Sequence, residues 1–110
     1  MVLAFEPQHV SLPAAGGTAS GNTIKNEGVA RMAFKIKSSN NAHYRVKPVY
    51  GFVDANASVA VEIVRQAGPP GEDKMVVQFA EVPPEETNPK APFQAGACQG
   101  EVIITLVATA

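Results

Sequence analysis

The chain has no tryptophan, one cysteine and only 6% aromatic residues in 110 positions. A single thiol, Cys98, has no partner for an internal disulfide, which excludes a disulfide-stapled scaffold and fits a reducing compartment. Scarce aromatics leave the core to aliphatic side chains, valine above all, while 45% apolar content argues against wholesale disorder. Neither sign of charge is in excess. Nine basic against ten acidic residues give a net charge of -1, so no global field draws the molecule to nucleic acid or to an anionic membrane. Long apolar runs are missing too: the longest, near Val59–Val64 and Val102–Ala108, fall far short of a bilayer span. The opening Met1-Val2-Leu3-Ala4-Phe5-Glu6-Pro7 lacks the basic start and continuous apolar stretch of a signal peptide. Together these absences predict a soluble cytoplasmic protein with no membrane insertion and no nucleic-acid partner.

What the chain does have is punctuation and alternation. Nine glycines and nine prolines demand frequent turns and leave little room for long helices. The length suits one ordinary domain, residues 1–110, with a single core. In Arg31-Met32-Ala33-Phe34-Lys35-Ile36-Lys37-Ser38-Ser39 the apolar Met32, Phe34 and Ile36 alternate with Ala33, Lys35 and Lys37, the period of a strand with one buried face. Similar runs predict strands at about 2–5, 9–12, 18–25, 30–37, 43–47, 58–65, 73–80 and 100–108. Val59, Val61 and Ile63 share a face, as do Met75, Val77 and Phe79, and Val102, Ile104 and Leu106. Ile103 and Val107 make the last strand apolar on its other side as well, which predicts cover on both faces.

Between the runs, Asn26-Glu27-Gly28 reads as a hairpin turn with Gly28 at positive φ, and Gly68-Pro69-Pro70-Gly71 as a second reversal. The segment 82–99, with Pro83, Pro84, Pro89 and Pro92, reads as a long irregular connection. Seven or so short strands at this spacing predict an all-β, immunoglobulin-like sandwich.

No set of residues here spells out chemistry. His9 and His43 are far apart and have no neighbouring Cys or spaced carboxylates, so no metal site is expected. Asp54 reads as a turn residue whose carboxylate bonds nearby backbone N–H groups. Glu85-Glu86 reads as a solvated pair. Cys98 lacks a readable base, and Gly16-Gly17-Thr18 lacks the lysine and the strand–helix context of a phosphate loop. The reading is a non-enzyme without cofactor or small-molecule substrate. What remains is surface chemistry: Lys35 and Lys37 leave the outer face of their strand and run into the Ser38 and Ser39 hydroxyls. Charge and hydrogen bonding at a surface suit binding better than catalysis. Such a face equally suits the plainer role of keeping a sheet soluble and its edge protected.

Phe34-Lys35-Ile36-Lys37-Ser38-Ser39, then Tyr44-Arg45-Val46-Lys47-Pro48, then Gly51-Phe52-Val53-Asp54 resemble the major sperm protein (MSP) domain in order and spacing. Glu6-Pro7-Gln8-His9 and Lys74-Met75-Val76-Val77-Gln78 extend the likeness over roughly residues 6–79. The family includes nematode sperm motility proteins and the VAMP-associated proteins of the endoplasmic reticulum. The short chain resembles most the small single-domain sperm-specific relatives of class P. The resemblance implies a seven-stranded immunoglobulin-like sandwich of the MSP type. It also implies cis peptide bonds before Pro7 and Pro48, where strands bend or switch sheets. As to function, it implies a structural or adaptor protein of nematode sperm, working through protein–protein contacts around the sperm cytoskeleton.

Family members that bind acidic diphenylalanine-type peptides use positions matching Lys37, Ser38, Ser39, Lys74 and Val76. With Lys35 these form the expected partner-binding face. Val76 stands where the peptide binders carry methionine, and Glu101 stands near one of their lysines. A reversal of that kind removes on the order of 1 kcal/mol of attraction where the pair is partly desolvated. Self-association is also implied, since the motile members dimerise and form filaments without nucleotide. Against it stand edges blunted by Lys25, Lys35 and the prolines.

Overall fold

The computed structural model describes residues 3–110. Its strands are β1 (Leu3–Glu6), β2 (His9–Pro13), β3 (Gly17–Asn26), β4 (Met32–Ser38), β5 (Tyr44–Lys47), β6 (Tyr50–Val53), β7 (Ser58–Arg65), β8 (Gly71–Glu81) and β9 (Gly100–Thr109). One short helix, α1 (Ala91–Gln94), interrupts the connection between β8 and β9. A four-stranded sheet runs β1-β3-β7-β5, and a five-stranded sheet runs β2-β9-β8-β4-β6. All pairings are antiparallel except β2 with β9, where His9 to Pro13 run alongside Thr105 to Thr109.

Nine strands stand where about seven were expected, and the extra breaks fall at two prolines. Pro7 separates β1 from β2, and Pro48 separates β5 from β6. In each case the two strands belong to different sheets. Counting each interrupted pair as one strand returns seven. Both X–Pro bonds, Glu6–Pro7 and Lys47–Pro48, are cis. The expected first strand included Val2, which lies outside the described residues; its described part is β1. No separate strand was expected at Tyr50–Val53, because four residues around a glycine show no alternation. Gly51 is there for space. A Cβ at that position would lie 2.6 Å from the Phe34 ring, so the ring of one strand packs on the bare backbone of its partner. Phe79 covers Gly100 in the same way, at 2.5 Å.

The alternating residues meet between the sheets. Phe5, Ile24, Phe34, Ile63, Met75, Val77, Ile104 and Leu106 are buried there. At about 25 cal/mol per Å² of apolar surface removed from water, this aliphatic interior supplies the main driving force for sandwiching.

Three expectations change. Asn26-Glu27-Gly28 is not a hairpin, because β3 and β4 lie in different sheets. The chain crosses over, held by the buried Asn26 side chain. Its Nδ2 donates to the carbonyls of Ala30 (2.7 Å) and Val53 (3.1 Å), and its Oδ1 accepts from the Gly28 amide at 2.9 Å. The side chain makes the turn, so Gly28 does not need positive φ; Gly16, Gly96 and Asn56 take it instead. The Gly68–Gly71 segment likewise carries the chain from β7 to β8 in the other sheet.

Second, the Asp54 carboxylate meets the Arg31 guanidinium at 3.4 Å rather than local backbone amides. Arg31 also stacks 3.7 Å over Phe52 and donates to the carbonyls of Pro83, Pro84 and Glu86. It thereby ties the irregular 82–99 segment to the end of the larger sheet. Third, β9 is not covered on both faces: Ile103 is 58% exposed. Among the described residues nothing covers Ile103.

Candidate functional site

The site is built from the outward rows of the five-stranded sheet. On β8, Met75, Val77 and Phe79 point inward, so Lys74, Val76 and Gln78 point out. Register then fixes their neighbours. Val76 sits between Lys37 on β4 and Ile103 on β9, and Gln78 between Lys35 and Glu101. Lys74 stands opposite Thr105, with Ser39 on its other side through the Ser39 amide bond to the Lys74 carbonyl at 2.9 Å. The result is a stiff surface with a small aliphatic centre, Val76 and Ile103, ringed by charge.

Not every expected residue reaches it. Lys37, Lys74 and Val76 share this face. Lys35 lies one row further along, its ammonium 5.7 Å from the centre of the Tyr50 ring. Ser39 is adjacent, but its hydroxyl is committed: it donates to Asp73 Oδ1 at 3.2 Å and accepts from the Lys74 amide at 2.9 Å. Ser38 is on the other side of the sheet. Its Oγ accepts from the Asn40 amide at 3.1 Å within the β4–β5 turn, so it belongs to the sandwich end rather than to the outer face. The period of two decides this: consecutive residues of an extended chain cannot both present their hydroxyls to one ligand.

Charge on the face is largely internal. Lys74 Nζ is 3.2 Å from Glu72 Oε2 and donates to Thr105 Oγ1 at 3.0 Å. Among the described residues Lys37 has no carboxylate within 4 Å. Glu101, exposed, lies one row from Val76. The face thus offers one uncommitted cation, one paired cation and an open apolar spot.

Sequence reasoning missed Ile103 as a surface residue, although its opposition to Val102 and Ile104 carries the signal. It also missed Arg65, a cation 3% exposed at the end of β7, whose Nη2 donates to the Pro69 carbonyl at 2.7 Å. Alternation alone places Arg65 on the inner row with Val61 and Ile63. A charge there contradicts the pattern and was the available clue. The cations expected to blunt the edges, Lys25 and Lys35, lie on the interior strands β3 and β4; the edge strand β5 carries Arg45 and Lys47 instead. Among the described residues no helix is long and apolar enough to cross a membrane.

Comparison with known proteins agrees with this architecture. The family model for the MSP (major sperm protein) domain matches residues 2–102. Sperm-specific class P protein 34 of Caenorhabditis elegans is 57% identical over 103 residues, covering 94% of this chain and 95% of the relative. The structure of WR4, a C. elegans MSP family member, superposes with a TM-score of 0.94 at 54% identity, covering 98% of both chains. That of SSP-19, an MSP-domain protein like family member in C. elegans, gives 0.92 at 46% identity, covering 97% of this chain and 99% of the other.

Proposed function

The chain belongs to the MSP domain family, and from that premise we propose that it is a non-enzymatic structural or adaptor protein of the nematode sperm cytoplasm. It works by protein–protein contact at the sperm cytoskeleton. The observation that carries this reading is the open face of the five-stranded sheet, where Ile103 is exposed beside Val76 and flanked by Lys37 and Lys74. An exposed aliphatic pair on a stiff sheet is what a docking partner can bury, and the surrounding charges set its orientation. No cofactor takes part.

A pull-down from nematode sperm lysate tests it, with wild type beside an Ile103→Glu, Lys37→Glu double variant. The expected result is that wild type retains cytoskeletal proteins and the variant loses them. An identical set retained by both would remove this face from the function.

The uncommitted Lys37 favours a second reading, in which the same face captures short acidic diphenylalanine-type motifs. Three features work against tight capture: the pairing of Lys74 with Glu72, the occupied Ser39 hydroxyl and the nearby Glu101. Titration with such a peptide, followed by amide shifts at Lys37, Ser39 and Val76, separates the two readings. Shifts abolished by Lys37→Glu would establish peptide capture.

A further inference from the structure

The end of the sandwich where the chain crosses from β3 to β4 carries another exposed apolar residue. Val29, in the middle of that crossover, is 96% exposed, more than Ile103 or Val49. A lone exposed valine needs no explanation, but this one stands between two hollows. One, of about 220 Å³, has the buried Met32 at its base and Asn26, Glu81 and Gln99 around it. The other, of about 450 Å³, lies between the crossover and the segment that follows β8, walled by Ala30, Val82, Pro83 and Pro84. Val29, Ala30 and Glu81 border both, so the hollows are two halves of one groove.

The groove is held in shape from inside. Asn26 fixes the crossover through the Ala30 carbonyl and the Gly28 amide. The Val82 amide bonds the Arg31 carbonyl at 3.0 Å, and the Arg31 guanidinium donates to the carbonyls of Pro83 and Pro84. A preformed wall of prolines has little order left to gain when something binds. The free charge here is also of one sign. Among the described residues the exposed Glu81 has no cation within 4 Å, and neither do Glu27 and Glu85, which adjoin Gly28 and Pro84. Arg31 is the cation in the lining, and its guanidinium is already engaged by Asp54, the Phe52 ring and three carbonyls. A hollow with methionine at its base and a carboxylate at its rim matches the long stem and charged head of lysine or arginine. The proline-walled hollow matches an aliphatic side chain.

We propose that this groove docks an extended basic segment of a partner protein. The segment straddles Val29, with a lysine or arginine over Met32 and its head at Glu81, and an aliphatic side chain against Pro83 and Pro84. Residues two apart on an extended chain point the same way, so one short segment supplies both. Burial of Val29 gives affinity, and the glutamates steer the encounter and reject acidic chains. Glu81 lies five residues along β8 from Val76, about 17 Å at 3.4 Å per residue. This surface is therefore separate from the sheet face of the proposed function, and the two stand or fall independently.

The test is titration of the full chain with a capped peptide repeating Arg-Ser-Val-Ser, followed by amide NMR. The expected result is shifts at Gly28, Val29, Ala30 and Glu81 and at the Gln99 side-chain amide. A Glu-Ser-Val-Ser peptide of equal length should not bind. Glu81→Lys should weaken binding roughly tenfold or more, and Val29→Ser severalfold. Both side chains are exposed, so both variants should keep the wild-type circular dichroism spectrum. Ile103→Glu should leave binding unchanged. The proposal is overturned by absence of shifts, by shifts confined to Lys37, Val76 and Ile103, or by equal binding of the acidic peptide. Binding indifferent to Glu81→Lys or to Val29→Ser would overturn it as well. Shifts at Val29 that grow with protein concentration in the absence of peptide would overturn it in favour of a second copy.

Discussion

Asn26 shows how one side chain can replace a turn. It is 2% exposed and holds three backbone groups that otherwise have nowhere to go as the chain changes sheets. Asn26→Ala should cost about 2–3 kcal/mol, at roughly 1 kcal/mol per bond lost, read as a lower urea midpoint at unchanged m-value. Asn26→Asp should cost at least as much, because a carboxylate would face the Ala30 and Val53 carbonyls. Gly51 makes the complementary point by having no side chain. Gly51→Ala pushes a methyl into the Phe34 ring and should destabilise by about 1–3 kcal/mol; a smaller loss would mean that the ring shifts aside freely. Neither role was legible in sequence. A buried amide and a solvated one read alike, and a glycine that makes room for a ring looks like a glycine that makes a turn.

At the scale of elements, the long alternating strands were legible because a one-sided burial pattern has no other explanation. β4, β7, β8 and β9 fall within two residues of expectation. What alternation cannot reveal is which sheet a strand joins, so the β3–β4 connection read as a hairpin. It also cannot tell an apolar outward residue that is covered from one that is bare, hence Ile103. For the candidate site, only the family resemblance grouped Lys37, Lys74 and Val76, since strand register is not readable from one sequence, while periodicity should have separated Ser38 from Ser39. The 82–99 segment, aperiodic in sequence, is anchored by a residue outside it. Arg31→Ala should leave the sheets intact yet speed proteolysis within residues 83–99, with a loss of about 1–2 kcal/mol. Arg31→Lys should not rescue it, since an ammonium cannot stack on Phe52 while reaching several carbonyls. Asp54→Ala should cost under about 0.5 kcal/mol, because that carboxylate is 78% exposed.

For the whole molecule, the governing fact is where β9 lies. It is flanked by β2 on one side and β8 on the other, and its inner row, Val102, Ile104 and Leu106, sits in the centre of the core. Removing residues 105–110 should therefore abolish the folded state rather than trim it, with loss of the β signal in circular dichroism and rapid digestion throughout. A native-like spectrum would show that the remaining strands close the sandwich without it. The β2–β9 pairing joins His9 to Thr105, a long loop to close, which places this protein among the slow-folding topologies. On a ribosome this order has a cost in time. The greasy inner faces of eight strands emerge before the one that unites them, so the sandwich stays open until β9 has left the exit tunnel. Throughout that interval those uncovered faces are prone to aggregate.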